Sequence, residues 1–252
     1  MTASSPVGPK PDERPSLLTP AWLPIGYERV RVVGSFEELI ATPLCEGVNT
    51  VCWQRALGGD FGEVVRQLAT TDDITPIDET RLASLEVSPS GHQAVETLLT
   101  DLRLLRAAGH EPTLECVRRY PRDHDGPVAR DVYSFHIVSA TAPTETFLCT
   151  YAGASSEGLR HDEVLRVIDA PKTRARLLER FGREDGPAFE AWLHENCYDL
   201  HYEPTSEARP FSFGLGNLWR IAVQYPGCPV PACIHRAPED SSDMGPRLLL
   251  IS

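Results

Sequence analysis

His235-Arg236-Ala237-Pro238, a polar loop and then Arg247-Leu248-Leu249-Leu250-Ile251 close the chain, and Tyr133-Ser134-Phe135-His136-Ile137-Val138 lies about a hundred positions upstream. These stretches decide the fold, because each reads as a strand that carries a polar, chemistry-bearing side chain. Residues two apart on a strand share a face. Ser134, His136 and Val138 therefore lie on one side, and Tyr133, Phe135 and Ile137 on the other. The more apolar side is expected to pack against a helix layer, which turns His136 toward the inside of a double-sheet barrel. His235 is held between prolines, in Pro229, Pro231 and Pro238, which stiffen the chain as a ligand position requires. Neutral imidazole is a common metal ligand. Arg247 opens an apolar terminal strand, where a buried guanidinium needs a partner such as a carboxylate.

Working outward, residues 1–24 carry Pro6, Pro9, Pro11, Pro15, Pro20 and Pro24 with little apolar periodicity, and read as a disordered leader. Residues 25–252 read as a single globular domain. Its first part, to about residue 110, is rich in helix. Glu28 to Val33 alternates like a strand, Ser35 with Glu38 forms a capping box for a helix to about Ala41, and Asn49 to Arg55 is a second strand. A helix is expected from Asp60 to Ala69 and a longer one from Ser90 to Ala108, capped by Ser90 with Gln93 as its reciprocal partner. In the longer one, Val95, Leu98, Leu99, Leu102 and Leu105 recur at helical spacing before Gly109. From 111 onward strands dominate: 114–120, 131–138, 145–151, 211–224, 232–236 and 247–251. A helical insertion is expected at 161–195, broken by the 182–187 turn. The order predicts an α+β protein with a double-stranded β-helix, or jelly-roll, core and helical additions.

The chain has 252 residues, a formal net charge of −12 and seven cysteines. An acidic surface with dispersed arginines argues against a nucleic-acid partner. No apolar run approaches the roughly 18 residues of a membrane span, and none resembles a signal peptide. The expectation is a cytoplasmic protein with reduced thiols acting on a small molecule. No G-x-S-x-G, P-loop or dinucleotide fingerprint is present, and Gly214-Leu-Gly216 is a lone turn signal.

The candidate metal ligands are His136 and His235. A facial triad adds a carboxylate two residues after the first histidine, but Val138 stands there. Asp123, Asp125, Asp131, Glu145 and Glu157 are the nearest replacements in sequence. Cys228, Cys233 and His235, with His194, Cys197 and His201 nearby, form an alternative zinc set, although their spacing matches no zinc finger or ribbon.

An early-strand histidine, a late-strand histidine and an arginine twelve residues after the second resemble the skeleton of non-heme iron oxygenases that consume 2-oxoglutarate. In that family the histidines hold Fe(II) and the arginine pairs with the co-substrate's distal carboxylate, which Arg247 would do here. Asn49 to Arg55, Phe135-His136, Leu148 to Gly153 and His235 to Pro238 also resemble a bacterial family known only as a domain of unknown function. Its members carry Phe-His-x-Asp, Leu-x-Thr-Tyr-x-Gly-x-Gly-Thr-Glu-Trp and His-Arg-(Ser/Ala)-Pro elements. This chain departs at Val138 and in 152–159, which retains Glu157 but no Trp. Radical halogenases also lack the carboxylate, but with a residue smaller than Val. The resemblance implies an iron oxidoreductase. A non-catalytic metal- or ligand-binding protein on the same fold, or a structural zinc protein, remains the alternative.

Overall fold

The computed structural model describes residues 23–24, 26–239 and 245–252. The expected leader lies outside the described residues except for Leu23 and Pro24, as does most of the polar loop before Arg247. The architecture is mixed α and β, with two sheets that are almost wholly antiparallel.

The amino-terminal part packs helices on the first sheet. Strand β1 (Val30–Val33) runs parallel to β2 (Thr50–Trp53), with α1 (Phe36–Ala41) as the crossover. Ser35 caps α1 by accepting from the Glu38 amide at 3.2 Å, while the Glu38 carboxylate accepts from the Gly34 amide at 2.8 Å, one residue earlier than a reciprocal box requires. Asp60 caps α2 (Phe61–Leu68). Two elements unmarked in the sequence follow: β3 (Ile74–Ile77), an edge strand that tolerates Pro76, and α3 (Glu79–Ala83). The long helix α4 spans Pro89–Ala107. Its cap is Ser88 rather than Ser90, because Pro89 occupies the first helical position that proline favours.

The remaining strands are β4 (Thr113–Val117), β5 (Phe135–His136), β6 (Glu145–Ala152), β7 (Glu157–Gly158), β8 (Val164–Arg166), β9 (His201–Pro204), β10 (Phe211–Ser212), β11 (Leu218–Ala222), β12 (His235–Arg236) and β13 (Arg247–Ile251). One sheet has the order β1-β2-β11-β6-β13-β4-β3, the other β10-β7-β12-β5-β9-β8. The expected helix over 161–170 is instead a short 3-10 turn and β8. Helix α5 (Pro171–Phe181) starts only at its proline, and α6 (Pro187–Glu195) follows the left-handed Gly182.

Alternation along the first sheet sorts its side chains into two cores. Val51, Phe147, Cys149, Leu218, Leu248 and Leu250 pack with Leu39, Val64, Leu98 and Leu105 of the helices. Cys52, Leu148, Trp219 and Ile221 face the other way and meet Phe211 of the second sheet, with Phe213 and Cys233 from the segments that adjoin β10 and β12. A satellite core of Leu177, Phe189, Leu193 and Tyr198 anchors α5 and α6.

Candidate metal centre

The second sheet brings three histidines into one row. His235 on β12 is directly opposite His136 on β5, and His136 is directly opposite His201 on β9. Directly opposed residues of antiparallel strands project on the same face. Their neighbours Phe135, Ile137 and Ile234 project on the other, where they pack with Leu159, Val164, Leu200 and Tyr202. No α-helix residue belongs to that apolar cluster among the described residues, so the expected helix layer is not what packs there; Val164 and Tyr202 come from β8 and β9 of the same sheet. The histidine face is the one turned to the first sheet: the His235 ring stands over Phe213 at 6.4 Å, and Phe213 stacks on Trp219 at 4.3 Å.

Each ring is fixed through Nδ1. His136 Nδ1 lies 2.8 Å from the Ser134 carbonyl oxygen, and His235 Nδ1 lies 3.2 Å from that of Cys233. A carbonyl can only accept, so in both rings Nδ1 carries the hydrogen and Nε2 the lone pair. The Ser134 hydroxyl donates to the Asp131 carbonyl at 2.7 Å, which leaves it to accept from His201 Nδ1 at 2.7 Å. All three imidazoles are therefore the same neutral tautomer. Their Nε2 atoms make no hydrogen bond among the described residues. This is the arrangement in which a backbone or side-chain oxygen orients a metal-binding histidine. Burial, with His136 adding to it, pushes His235 down to about 3 and His201 down to about 4, and burial also lowers His136.

The spacing can be tested against a metal. A ligand nitrogen about 2.1 Å from a divalent ion puts the ring centroid roughly 3.2 Å away, so two ligand rings at ordinary angles stand about 4.6–5.3 Å apart. The His136 and His235 centroids are 4.7 Å apart, and those of His136 and His201 5.8 Å. The first pair fits, and the second is wider by roughly half an ångström. Accordingly, among the described residues no three His, Cys, Asp or Glu side chains converge closely enough to hold a metal.

The carboxylates nearest in sequence serve elsewhere. Asp123 pairs with Arg130 at 2.7 Å, Glu145 with Arg220, and Glu157 with Arg236 at 2.7 Å. Asp131 accepts from the Asp123 and Tyr133 amides. Val138 offers no donor atom. The zinc set does not assemble either: Cys228 donates to the Val223 and Val230 carbonyls, burial pushes the Cys233 thiol up to about 11, His194 pairs with Asp199, and Cys197 is exposed.

Arg247 is buried, on the β13 face turned toward the second sheet, because Leu248 and Leu250 take the helix side. Its guanidinium donates to the Ala154 carbonyl at 2.8 Å and the Ser156 hydroxyl at 2.9 Å, and reaches the Tyr120 hydroxyl at 3.4 Å. Ser156 lies two residues before Gly158, and Gly158 is directly across from His235. A hydroxyl-lined basic nest thus adjoins the histidine row. Sequence reasoning overlooked Ser134, Ser156 and Tyr120, and placed His201 only in the zinc set. Their signal is long-range strand register, which spacing does not carry.

Comparison with known proteins finds no matching family model, no similar curated protein and no similar solved structure.

Proposed function

We propose that this chain is a jelly-roll protein of the non-heme iron oxygenase type, with His136 and His235 as imidazole ligands and Arg247 as the anchor for a carboxylate such as that of 2-oxoglutarate. The observation that carries the reading is the His136–His235 pair: opposed in register, 4.7 Å apart, and both presenting Nε2 lone pairs. Strand pairing supports the fold. Eight strands from β4 onward, leaving aside β8 and β9, pair first with last: β4 with β13, β5 with β12, β6 with β11 and β7 with β10, all antiparallel. That is a long hairpin rolled into two facing sheets, the jelly-roll plan. The segment from β8 to β9, including α5 and α6, is then an insertion between the fourth and fifth strands.

Ferrous iron, when bound, would supply redox chemistry toward O2 and an oxo acid. The protein's own contributions are separate. The Ser134 and Cys233 carbonyls hold the imidazole tautomers. Phe211, Phe213 and Trp219 keep the intersheet space apolar. Arg247, held by the Ala154 carbonyl and the Ser156 hydroxyl, would supply positive charge for one carboxylate, beside the Tyr120 hydroxyl. The free thiols among the described residues accord with a reducing cytoplasm. No described helix is long and apolar enough to cross a membrane.

The test is metal content by mass spectrometry after anaerobic Fe(II) loading of wild type, His136→Ala and His235→Ala. About one iron per wild-type chain, lost in both variants, is expected; retention in either removes that histidine from the site. Val138 favours a second reading, a binding protein without turnover. Succinate formed from 2-oxoglutarate under O2 distinguishes the two, since a binding protein forms none.

A further inference from the structure

We infer that His201 is a substrate-binding residue, whose Nε2 accepts a hydrogen bond from a hydroxyl on a neutral organic substrate seated beside the His136–His235 pair. The inference rests on the proposed two-histidine reading and names the substrate class of that site. His201 does not join the pair as a ligand, because its ring stands 5.8 Å from His136, wider than two rings on one ion. It sits in the same row nonetheless, at one register level and in the same tautomer. Ser134 fixes its Nδ1 at 2.7 Å, which sets the orientation of the ring. What remains is an acceptor with nothing to accept. His201 is 5% exposed, and its Nε2 makes no hydrogen bond among the described residues. The fully enclosed side-chain atoms without a partner among those residues are Thr75 Oγ1 and Asp199 Oδ1. His201 Nε2 is not one of them, so it borders space that water can enter.

Charge decides which donor fits. An ammonium or guanidinium would meet like charge from the bound cation and from Arg247. A carboxylate has no proton to give at neutral pH, and Arg247 already serves one. A neutral hydroxyl avoids both difficulties and supplies the proton that a neutral imidazole accepts. Nearby charges do not compete for it, since Arg130 pairs with Asp123 and Asp131 accepts from two backbone amides. Apolar groups flank the row at both ends. Phe213 stands beyond His235, and Val167, whose amide donates to the His201 carbonyl at 3.0 Å, belongs to the cluster of Leu177, Phe189 and Tyr198. A hydroxyl on an apolar body therefore matches the site, where one placed polar group fixes the orientation of the rest. The two organic molecules do not contend for one place. Ser156, which holds Arg247, lies two residues before Gly158 on the His235 side, and His201 lies on the far side of His136.

Phenol and fluorobenzene supply the test, as rings of similar size with and without the hydroxyl proton. Each is titrated by proton NMR into full-length protein loaded with Co(II), whose unpaired electrons shift the signals of a nearby probe. Phenol is expected to bind at least about tenfold more tightly than fluorobenzene, because a site built to bond a hydroxyl rejects the analogue that lacks it. In His201→Phe that preference should vanish, while Co(II) affinity by equilibrium dialysis stays unchanged. Equal binding of the two probes, binding of neither, or a phenol preference that survives in His201→Phe would overturn the inference and leave the His136–His235 pair in place. Loss of Co(II) in His201→Phe would make the residue a ligand and overturn it too. No Co(II) bound by the wild type would overturn the two-histidine reading instead. The same probes on metal-free protein would then decide the acceptor role, supported by a phenol preference that needs His201 and refuted by its absence.

Discussion

Lowering the pH of the metal-free protein from 7 to about 5.5 should destabilise it by about 2–3 kcal/mol through two histidines alone. A histidine whose folded pKa is depressed contributes stability that is present above the unfolded value, near 6.5, and is lost as pH falls toward the folded value. For His235 that window runs from about 6.5 to about 3, and for His201 from about 6.5 to about 4. At about one unit below 6.5 the unfolded chain has gained most of a proton per ring, a loss of roughly 1 kcal/mol each, while the folded rings remain neutral. His136, also lowered by burial, adds in the same direction. Carboxylates do not confuse this window. Asp162 is pushed down to about 2 by its bond to Arg160, and such groups lose their contribution only below the ordinary carboxylate range. Against a total stability of about 5–15 kcal/mol the effect is large. Urea unfolding of wild type and of the double variant His201→Gln/His235→Gln, at both pH values, measures it. A wild-type loss below about 1 kcal/mol, or an equal loss in the double variant, would refute the claim that these rings are buried and neutral.

Other consequences are local. Asp101→Ala strands Arg55, which it binds at 2.7 and 2.5 Å, and removes the acceptor of the Tyr151 hydroxyl; a loss of about 3–5 kcal/mol in urea melts is expected. Leu98→Ala, in the core between α4 and the first sheet, should cost about 2–5 kcal/mol in the same assay. Ser88→Ala removes the cap of α4 and the hydroxyl bonded to Glu63, for a loss of about 1–2 kcal/mol seen as a lower thermal midpoint. Gly158→Ala would set a Cβ 2.4 Å from Phe211 and 2.8 Å from Phe213, the ring beneath His235. About 1–3 kcal/mol of destabilisation should accompany a weakened Co(II) affinity by chelator competition.

How much of this is legible in the sequence depends on the range of the interaction that decides it. Helical spacing of Val95, Leu98, Leu102 and Leu105 marks α4, because burial on one face is a local pattern. Its start is displaced by two residues, since a Ser88-Pro89-Ser90 run offers two caps and only the proline rule separates them. Alternation identifies the faces of His136, and the late strand identifies His235. Their meeting is a matter of sheet register, set by pairing between β5 and β12 across the chain. His201 is the clearer case. Its place beside His136 is set by the backbone of Leu200, whose carbonyl accepts from the Ile137 amide at 3.0 Å, and by the pairing of Tyr202 with Phe135. Neither contact leaves a spacing signal near residue 201. In 161–170, turn and edge-strand residues stand beside a true helix, so a helical reading runs past its physical start at Pro171.

The histidine row is also where the protein departs from what stability alone would select. The intersheet core around it is built from Leu148, Phe211, Phe213, Trp219 and Ile221, and aliphatic side chains at 136, 201 and 235 would extend it without any polar atom to satisfy. Instead three imidazoles are desolvated, each with one nitrogen bonded and the other given no partner among the described residues. Desolvating them carries the acid sensitivity worked out above as its cost. Local rules broken together, on one face and at one register level, are what a functional site produces and what packing alone does not. A cation bound to the Nε2 lone pairs of His136 and His235 would offset that loss. Metal loading should therefore stabilise the wild type by an amount set by its affinity, and should do so much less in a variant where the row is broken at His136, the ring that touches both others.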